Sequence, residues 1–150
     1  MKVFVSSSWR NERQPSVVGA LVEAGYEVYD FRDPSPGEDV AGFSWAEVDA
    51  GWQDWTADQF RAALAHPRVL EAFHFDMDAL AACDALVMVQ PCGRSAALEL
   101  GWAAGAGKPT IVLLSDGEPE LMLLMAQYFC LSMNEVLDVL EGLRLGSSSW

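Results

Sequence analysis

Short apolar runs separated by helix-forming segments constrain the fold of this chain more than any other feature. Residues 3–7, 86–89 and 110–114 predict three strands that are apolar along almost their whole length. Such strands must be buried on both faces, and their alternation with helices is typical of a parallel sheet covered on both sides. The sequence therefore predicts a doubly wound α/β fold, flavodoxin-like or Rossmann-like, with four to five mostly parallel strands.

The other segments complete this alternation. Two further strands are predicted at residues 26–30 and 128–131. Helices are predicted over residues 15–24, 58–65, 69–82, 120–127 and 134–143, and one more is predicted to follow Ser95 as its N-cap. Residues 32–42 and 49–55 are predicted to be irregular, and the tail 146–150 to be frayed. Without an internal repeat or a boundary, residues 1–150 are expected to form a single domain.

The charge of the chain restricts its partners. Nine Lys and Arg residues against 22 Asp and Glu residues give a formal net charge of −13. Such a field repels nucleic-acid polymers and anionic membranes, so neither is an expected partner. A small phosphorylated ligand remains compatible, because it needs only a local positive site. No apolar run reaches the roughly 18 residues of a membrane span, and no signal peptide is expected at the N-terminus.

The cysteines and histidines predict neither disulfides nor a metal site. Cys83, Cys92 and Cys130 are far apart, lack CxxC spacing and cannot all pair with one another. Reduced thiols and a cytoplasmic location are therefore expected. His66 and His74 show no metal-ligand spacing with each other or with the cysteines. We expect no bound metal and no organic cofactor.

Glu99 is the most conspicuous candidate for a functional residue. It is the only charged side chain between Ser95 and Lys108. Its helical neighbours are all apolar: Ala96, Trp102, Ala103 and Ala106. Because an unpaired carboxylate costs several kcal/mol to bury, its position needs a reason. That reason is either contact with a ligand or a first-turn position favoured by the helix dipole, and the residues alone leave both open.

Three loops are expected to build a ligand crevice, because ligands of open parallel sheets bind outside the carboxyl ends of the strands. These loops are residues 6–13, 32–42 and 90–95. The first contains hydroxyl groups and a guanidinium before a helix, a combination that suits a phosphate or the hydroxyls of a sugar. It contains neither a P-loop nor a GxGxxG motif, and serines after a strand are also ordinary helix caps.

Three segments, in this order, resemble the nucleoside 2-deoxyribosyltransferase superfamily. They are FVSSSWRNE after the first strand, FDMDALAACDALVMV, and GRSAALELGWAAGAGK. Relatives in this superfamily include 2′-deoxynucleoside 5′-phosphate N-hydrolases and cytidylate (CMP) N-glycosidases. The family pattern has an acid that opens D-x-x-x-[LI]-x-x-[AC]-[DT], here Asp76, and then [ML]-E-x-G-[YW]-A, here Leu98 to Ala103. The resemblance extends from residue 1 to about residue 115.

The resemblance implies nucleophilic catalysis at a glycosidic carbon. Glu99 would attack C1′ of a nucleoside or nucleotide and expel the base, and water or a second base would then resolve the glycosyl ester. Asp76 matches the second catalytic carboxylate, which helps to protonate the departing base. Asp78 is the alternative for that role. Without the resemblance, Asp76 would be read as a solvated acid on a helix.

The resemblance also implies a site for a 5′-phosphate. The transferases that act on free nucleosides carry an acid six residues before the nucleophile, where this chain has a glycine. Loss of that acid beside a new arginine and serine favours a phosphorylated ligand. Because the family usually completes its site across a dimer, a homodimer is also expected. The expected substrate-binding residues are Ser7, Ser8, Trp9, Arg10, Gly93, Arg94 and Ser95.

Two questions stay open at this point. The aromatic segment 43–75, with Trp45, Trp52 and Trp55, could stack on a base or pack an insertion onto the core or onto a partner subunit. Two other functions also remain: an NAD-consuming domain of the Toll/interleukin-receptor type, and a non-catalytic module that binds nucleotides. The first also places a glutamate in a helix after a parallel strand.

Overall fold

The computed structural model describes residues 1–34 and 42–146, and its centre is a five-stranded sheet of order β2-β1-β3-β4-β5. All neighbouring strands pair in parallel. The prediction of a doubly wound α/β fold with a parallel sheet is therefore confirmed. The strands are β1 (Lys2–Ser6), β2 (Glu27–Asp30), β3 (Ala85–Val89), β4 (Thr110–Leu113) and β5 (Tyr128–Cys130).

The described part of the chain contains five α-helices, of which four lie between strands and the last follows β5. None of the helices there is long and apolar enough to cross a bilayer. Short 3-10 helices occur at Trp45–Glu47, Trp52–Asp54 and Leu121–Met125. The α-helices are α1 (Gln14–Glu23), α2 (Ala57–Ala63), α3 (Pro67–Ala82), α4 (Arg94–Gly105) and α5 (Met133–Arg144).

The core lies on both faces of the sheet because β3 is buried along its whole length. Successive side chains of a strand point to opposite faces, so β3 contributes to two apolar clusters. Val87 and its strand neighbours pack with Leu21 of α1 and Leu140 of α5. Leu86 and Met88 pack on the other face with side chains of α3 and α4. This second layer places α3 and α4 side by side over β1 and β3.

The prediction of an α-helix over residues 120–127 is wrong. The chain there forms a 3-10 helix, Leu121–Met125, and is extended again at Ala126. The reason is the start of β5. The backbone N–H of Gln127 bonds to the carbonyl and the hydroxyl of Thr110, which draws the chain into the sheet before a longer helix can form.

The start of α4 also differs from the prediction. Gly93, in an extended conformation, is the N-cap, and Ser95 is the second residue of the helix rather than its cap. As a result Glu99 lies in the second turn of α4. The helix dipole acts mainly within the first turn, so a dipole role explains less of this residue's position.

The aromatic segment contains contacts among its own rings. Trp45 makes edge contacts with Phe43, Trp55 and Phe60, at centroid distances of 5.0, 5.7 and 5.8 Å. Arg68 of α3 lies over Phe43 and forms an ion pair of 2.7 Å with a glutamate of the first 3-10 helix. These contacts favour packing of the segment against itself and α3.

Residues 35–41, within the loop predicted at 32–42, and the end of the tail lie outside the described residues.

Candidate functional site

The strand order changes direction between β1 and β3, and the loops that follow these strands lie at the same edge of the sheet. From β1 the chain continues to β2 on one side, whereas β3, β4 and β5 follow on the other side. In open α/β sheets this switch point is where ligands bind. The loop after β1 and the loop between β3 and α4 therefore form the first place to look for a site.

Asn11 connects these two loops. Its Nδ2 lies 3.0 Å from Oγ of Ser7, 3.1 Å from the carbonyl of Val89 and 3.0 Å from the carbonyl of Pro91. Asn11 is almost fully buried, and Ser7 also donates to the Val89 carbonyl at 2.8 Å. The hydroxyl of Ser7, a predicted substrate contact, is thus engaged in holding the loops together.

Arg32 supports the loop after β1 from the end of β2. Its Nη2 donates to the carbonyls of Ser8, Trp9 and Asn11 at 3.2, 2.9 and 2.9 Å. The guanidinium also lies 5.7 Å from the ring centroid of Trp9. Three carbonyls bonded to one cationic group fix the path of the loop. This role of Arg32 was not predicted from the sequence.

The other predicted substrate contacts lie on these two loops and on the first turn of α4. A Cβ added to Gly93 would lie 4.0 Å from Cβ of Ser8, so the loops nearly touch. Oγ of Ser8 accepts a bond of 3.2 Å from the backbone of Arg10. The remaining predicted contacts are all exposed: Trp9, Arg10, Arg94 and Ser95.

Glu99 is half-buried, and Ser6 at the end of β1 donates a hydrogen bond to its Oε2. The pKa of Glu99 is raised to about 6, mainly by burial. The hydrogen bond from Ser6 lowers this pKa, and the negative charge of Asp76 raises it further. Glu99 and Asp76 are therefore close enough to influence each other. Ser6 was predicted as part of the first strand and of the crevice loop 6–13, but not as a partner of Glu99.

Asp76 of α3 is the second carboxylate of this cluster. Its Oδ1 accepts a hydrogen bond of 2.5 Å from the hydroxyl of Tyr29 on β2. Burial raises the pKa of Asp76, whereas the bond from Tyr29 lowers it. Asp78, the alternative acid, lies on the exposed side of α3. The geometry favours Asp76 as the partner of Glu99.

Tyr29 and Ser6 are the members of the cluster that sequence reasoning missed. A signal existed: Phe4 and Ser6 share a face of β1, and Tyr29 pairs with Phe4 in the register of β1 and β2. Their position on one face could be inferred only once the order of the strands is known. The polar atoms of the cluster thus come from β1, β2, α3 and α4.

The described part of the chain has two sizeable cavities that Glu99 does not line. The larger, about 570 Å³, lies beyond the carboxyl end of β4 and has acidic residues at positions 116, 118 and 120 in its wall. The smaller, about 470 Å³, lies between β2 and α3 and includes Tyr29. Among the residues that the structure describes, no group of three or more His, Cys, Asp and Glu side chains could hold a metal ion.

Comparison with known proteins gives a match in fold. The structure is similar to that of a 2-deoxyribosyltransferase from Bacillus psychrosaccharolyticus, with a TM-score of 0.62 and 19% sequence identity over 92% of this chain and 91% of that one. It is also similar to a CMP N-glycosidase from Clostridium botulinum, with a TM-score of 0.51 and 20% identity over 94% and 99% of the two chains. No protein-family model and no curated protein matches the sequence. The resemblance to deoxyribosyltransferases and N-glycosidases is thus confirmed for the fold.

We expect Glu99→Gln to stabilise the protein at neutral pH. The raised pKa means that the native state holds this proton more tightly than the unfolded chain, so stability falls as pH rises from the ordinary value of 4.5 to about 6. The difference corresponds to about 2 kcal/mol, which the amide removes. Urea unfolding at pH 7.5 should show this gain, and at pH 4 it should disappear.

Glu118→Gln is the matched control for this measurement, because it removes the same charge from an exposed position. A Glu99→Gln protein no more stable than the wild type at pH 7.5 would contradict the buried charge.

Proposed function

We propose that this protein cleaves the N-glycosidic bond of a nucleoside or deoxynucleoside 5′-monophosphate, with Glu99 as the nucleophile. The observation that carries the proposal is a desolvated carboxylate held by Ser6 beside a second carboxylate, Asp76, at the switch point of the sheet. The fold is shared with a 2-deoxyribosyltransferase and a CMP N-glycosidase, and this adds support.

The reaction proceeds in two displacements. Since Ser6 occupies Oε2 of Glu99, we assign the attack on C1′ to Oε1. As the C–O bond forms, the bond from C1′ to the base nitrogen breaks and its electron pair stays on the base, which takes a proton from Asp76. Water, deprotonated by the Asp76 carboxylate, then hydrolyses the glycosyl ester, or a second base displaces the glutamate.

The ionisation states suit these roles. With a pKa of about 6, Glu99 is mostly ionised at neutral pH but keeps little solvation to lose when it attacks. Burial raises the pKa of Asp76, so this group retains a proton at higher pH than an ordinary aspartate. Two carboxyl groups in different environments can divide the roles of nucleophile and acid in this way.

A 5′-phosphate is the feature of the substrate that the loops fit best. Arg10 is an exposed cation on the loop after β1, and Arg94 is an exposed cation at the first position of α4, directly after the other loop that Asn11 contacts. The first turn of α4 adds backbone N–H groups, the hydroxyl of Ser95 and the positive end of the helix dipole. Gly93 allows close approach of the ligand to the backbone. In a chain of net charge −13, such a local concentration of hydrogen-bond donors and cations favours the binding of an anionic group.

We also infer that two copies of the chain associate through an apolar surface formed by the 3-10 helix Leu121–Met125 and α4. Leu121 and Leu124 are 75% and 74% exposed, and Met122 and Trp102 are exposed as well. A Cβ added to Gly101 would lie 3.9 Å from Met125, so the two elements are adjacent. Exposed apolar patches of this kind are typical of interfaces between subunits.

The protein is incubated with a panel of nucleosides, their 5′-monophosphates and NAD. We expect a monophosphate to release its base. Glu99→Gln should reduce the rate at least 10³-fold, roughly, because the glycosyl ester cannot form, and Asp76→Asn about 10²–10⁴-fold through loss of the acid. The rate should rise with pH around 6, where Glu99 ionises. Chromatography of the free base measures each rate, with Glu118→Gln as control. Release from NAD alone would overturn the proposed substrate.

Arg94→Ala should raise Kd for the monophosphate roughly tenfold or more, in line with a lost charge-assisted contact, and leave Kd for the free nucleoside unchanged. Arg61→Ala, which removes an exposed cation of α2, is the control. The measurement is competition between the two ligands in a binding titration. A nucleoside that binds better than its monophosphate would contradict the phosphate site.

Leu124→Glu should convert a dimer to a monomer, because a charge in an apolar interface loses its solvation. Sedimentation velocity over a range of concentrations measures this change. Leu145→Glu, at the exposed end of α5, should leave the dimer intact. A wild-type protein that sediments as a monomer throughout would rule out the interface.

A further inference from the structure

The cluster at the end of the sheet consists of Ser6, Tyr29, Asp76 and Glu99. Tyr29 is the one member to which the proposed reaction gives no role. Its ring stacks on Phe4 with a centroid distance of 4.9 Å and an interplanar angle of 20°. The ring of Phe75 lies 6.3 Å away on the side of α3. The hydroxyl points to Asp76 and donates to Oδ1 at 2.5 Å. The tyrosine is therefore held by rings on two elements and bonded to a third group.

The placement of the Tyr29 ring depends on the sheet. Phe4 and Tyr29 are paired in the parallel ladder of β1 and β2, so the stack is fixed by the backbone register. Asp76, in contrast, projects from a helix and could turn about its side-chain bonds. A bond from a fixed hydroxyl to Oδ1 restricts this freedom and leaves Oδ2 as the oxygen that can exchange a proton.

We propose that Tyr29 is a positioning residue for this reaction: it aims Oδ2 of Asp76 at the leaving base and stabilises the Asp76 carboxylate once the proton has gone. This inference rests on the proposed function. In the step concerned, the O–H bond at Oδ2 breaks while an N–H bond forms on the base, and the electron pair remains on Asp76. The phenolic proton of Tyr29 stays on Tyr29 throughout.

The surroundings of Tyr29 keep its hydroxyl protonated. Burial raises the pKa of Tyr29, and so do the hydrogen bond to Asp76 and the negative charges of Asp76, Glu99 and Asp30. The charges that act on this hydroxyl come from β2, α3 and α4, and all are acidic. Burial raises the pKa of the Cys92 thiol on the loop before α4, and the negative charge of Glu99 raises it further. Tyr29 is thus a donor both before and after Asp76 loses its proton.

The test compares Tyr29→Phe with the wild type in base release from the monophosphate across pH. A donor to a carboxylate lowers the pKa of that carboxyl group, so its removal raises the pKa of Asp76. We expect kcat to fall about 10–100-fold, KM to change by less than about twofold, and the alkaline limb of the profile to move to higher pH. Loss of a purely structural contact would not shift that limb.

Tyr26→Phe is the matched control, because Tyr26 precedes β2 and packs into the apolar cluster on the opposite face of the sheet. It should retain the wild-type kcat and pH profile. A Tyr29→Phe enzyme with wild-type kcat and an unmoved alkaline limb would overturn the inference while the proposed function stands.

A carboxyl carbon NMR titration of Asp76 in both proteins separates the two proposals. An upward shift of its pKa in Tyr29→Phe supports the positioning role, and an unchanged value overturns it whether or not the enzyme turns over. Absence of base release from every wild-type substrate would instead overturn the proposed function, and the catalytic role of Tyr29 with it.

Discussion

Burial of the Glu99 carboxylate at the end of the sheet is the constraint on which the site depends. A charge removed from water is tolerated only if the protein supplies donors, and the donor here is Ser6, fully buried at the last position of β1. Glu99 is in the second turn of α4, where the helix backbone already bonds to itself. The charge must therefore be met by the sheet. As a result, α4 must lie where Glu99 is within hydrogen-bond distance of the last residue of β1.

The same edge of the sheet concentrates the buried polar side chains of the described residues. Ser6, Ser7, Asn11 and Gln14 are buried there, and Thr110 is the remaining one. Asn11 bonds across the switch point to the carbonyls of Val89 and Pro91, and Nε2 of Gln14 donates to Asp30 of β2 at 2.7 Å. Buried polar networks restrict a structure to one arrangement when their bonds are made. The bonds of Asn11 thus hold the loop after β1 against the loop after β3.

The sequence was sufficient for the elements whose burial is uniform. β3 is apolar at every position and fully buried, so its identity as a strand covered on both faces follows from local pattern. Local pattern failed where a distant partner decides. The local pattern before β5 predicts an α-helix, but the bond between Gln127 and Thr110 draws this segment into the sheet and leaves only a 3-10 helix. Ser6 and Tyr29 meet their carboxylates only through strand order and helix placement, which no spacing along the chain encodes. Glu99 itself was identifiable because a lone acid among apolar neighbours is a local feature.

The shared fold does not determine the ligand, because sequence identities of 19% and 20% leave most loop residues different. The balance of charge at the switch point is a second constraint on the ligand. Glu99, Asp76 and Asp30 place negative charge around Tyr29, and the chain as a whole has a net charge of −13. An anionic substrate can approach only where cations oppose that field, and Arg32 is already committed to three carbonyls. In the function we propose, the exposed Arg10 and Arg94 therefore supply the attraction for a phosphate, and Glu99 and Asp76 act on the sugar and the base.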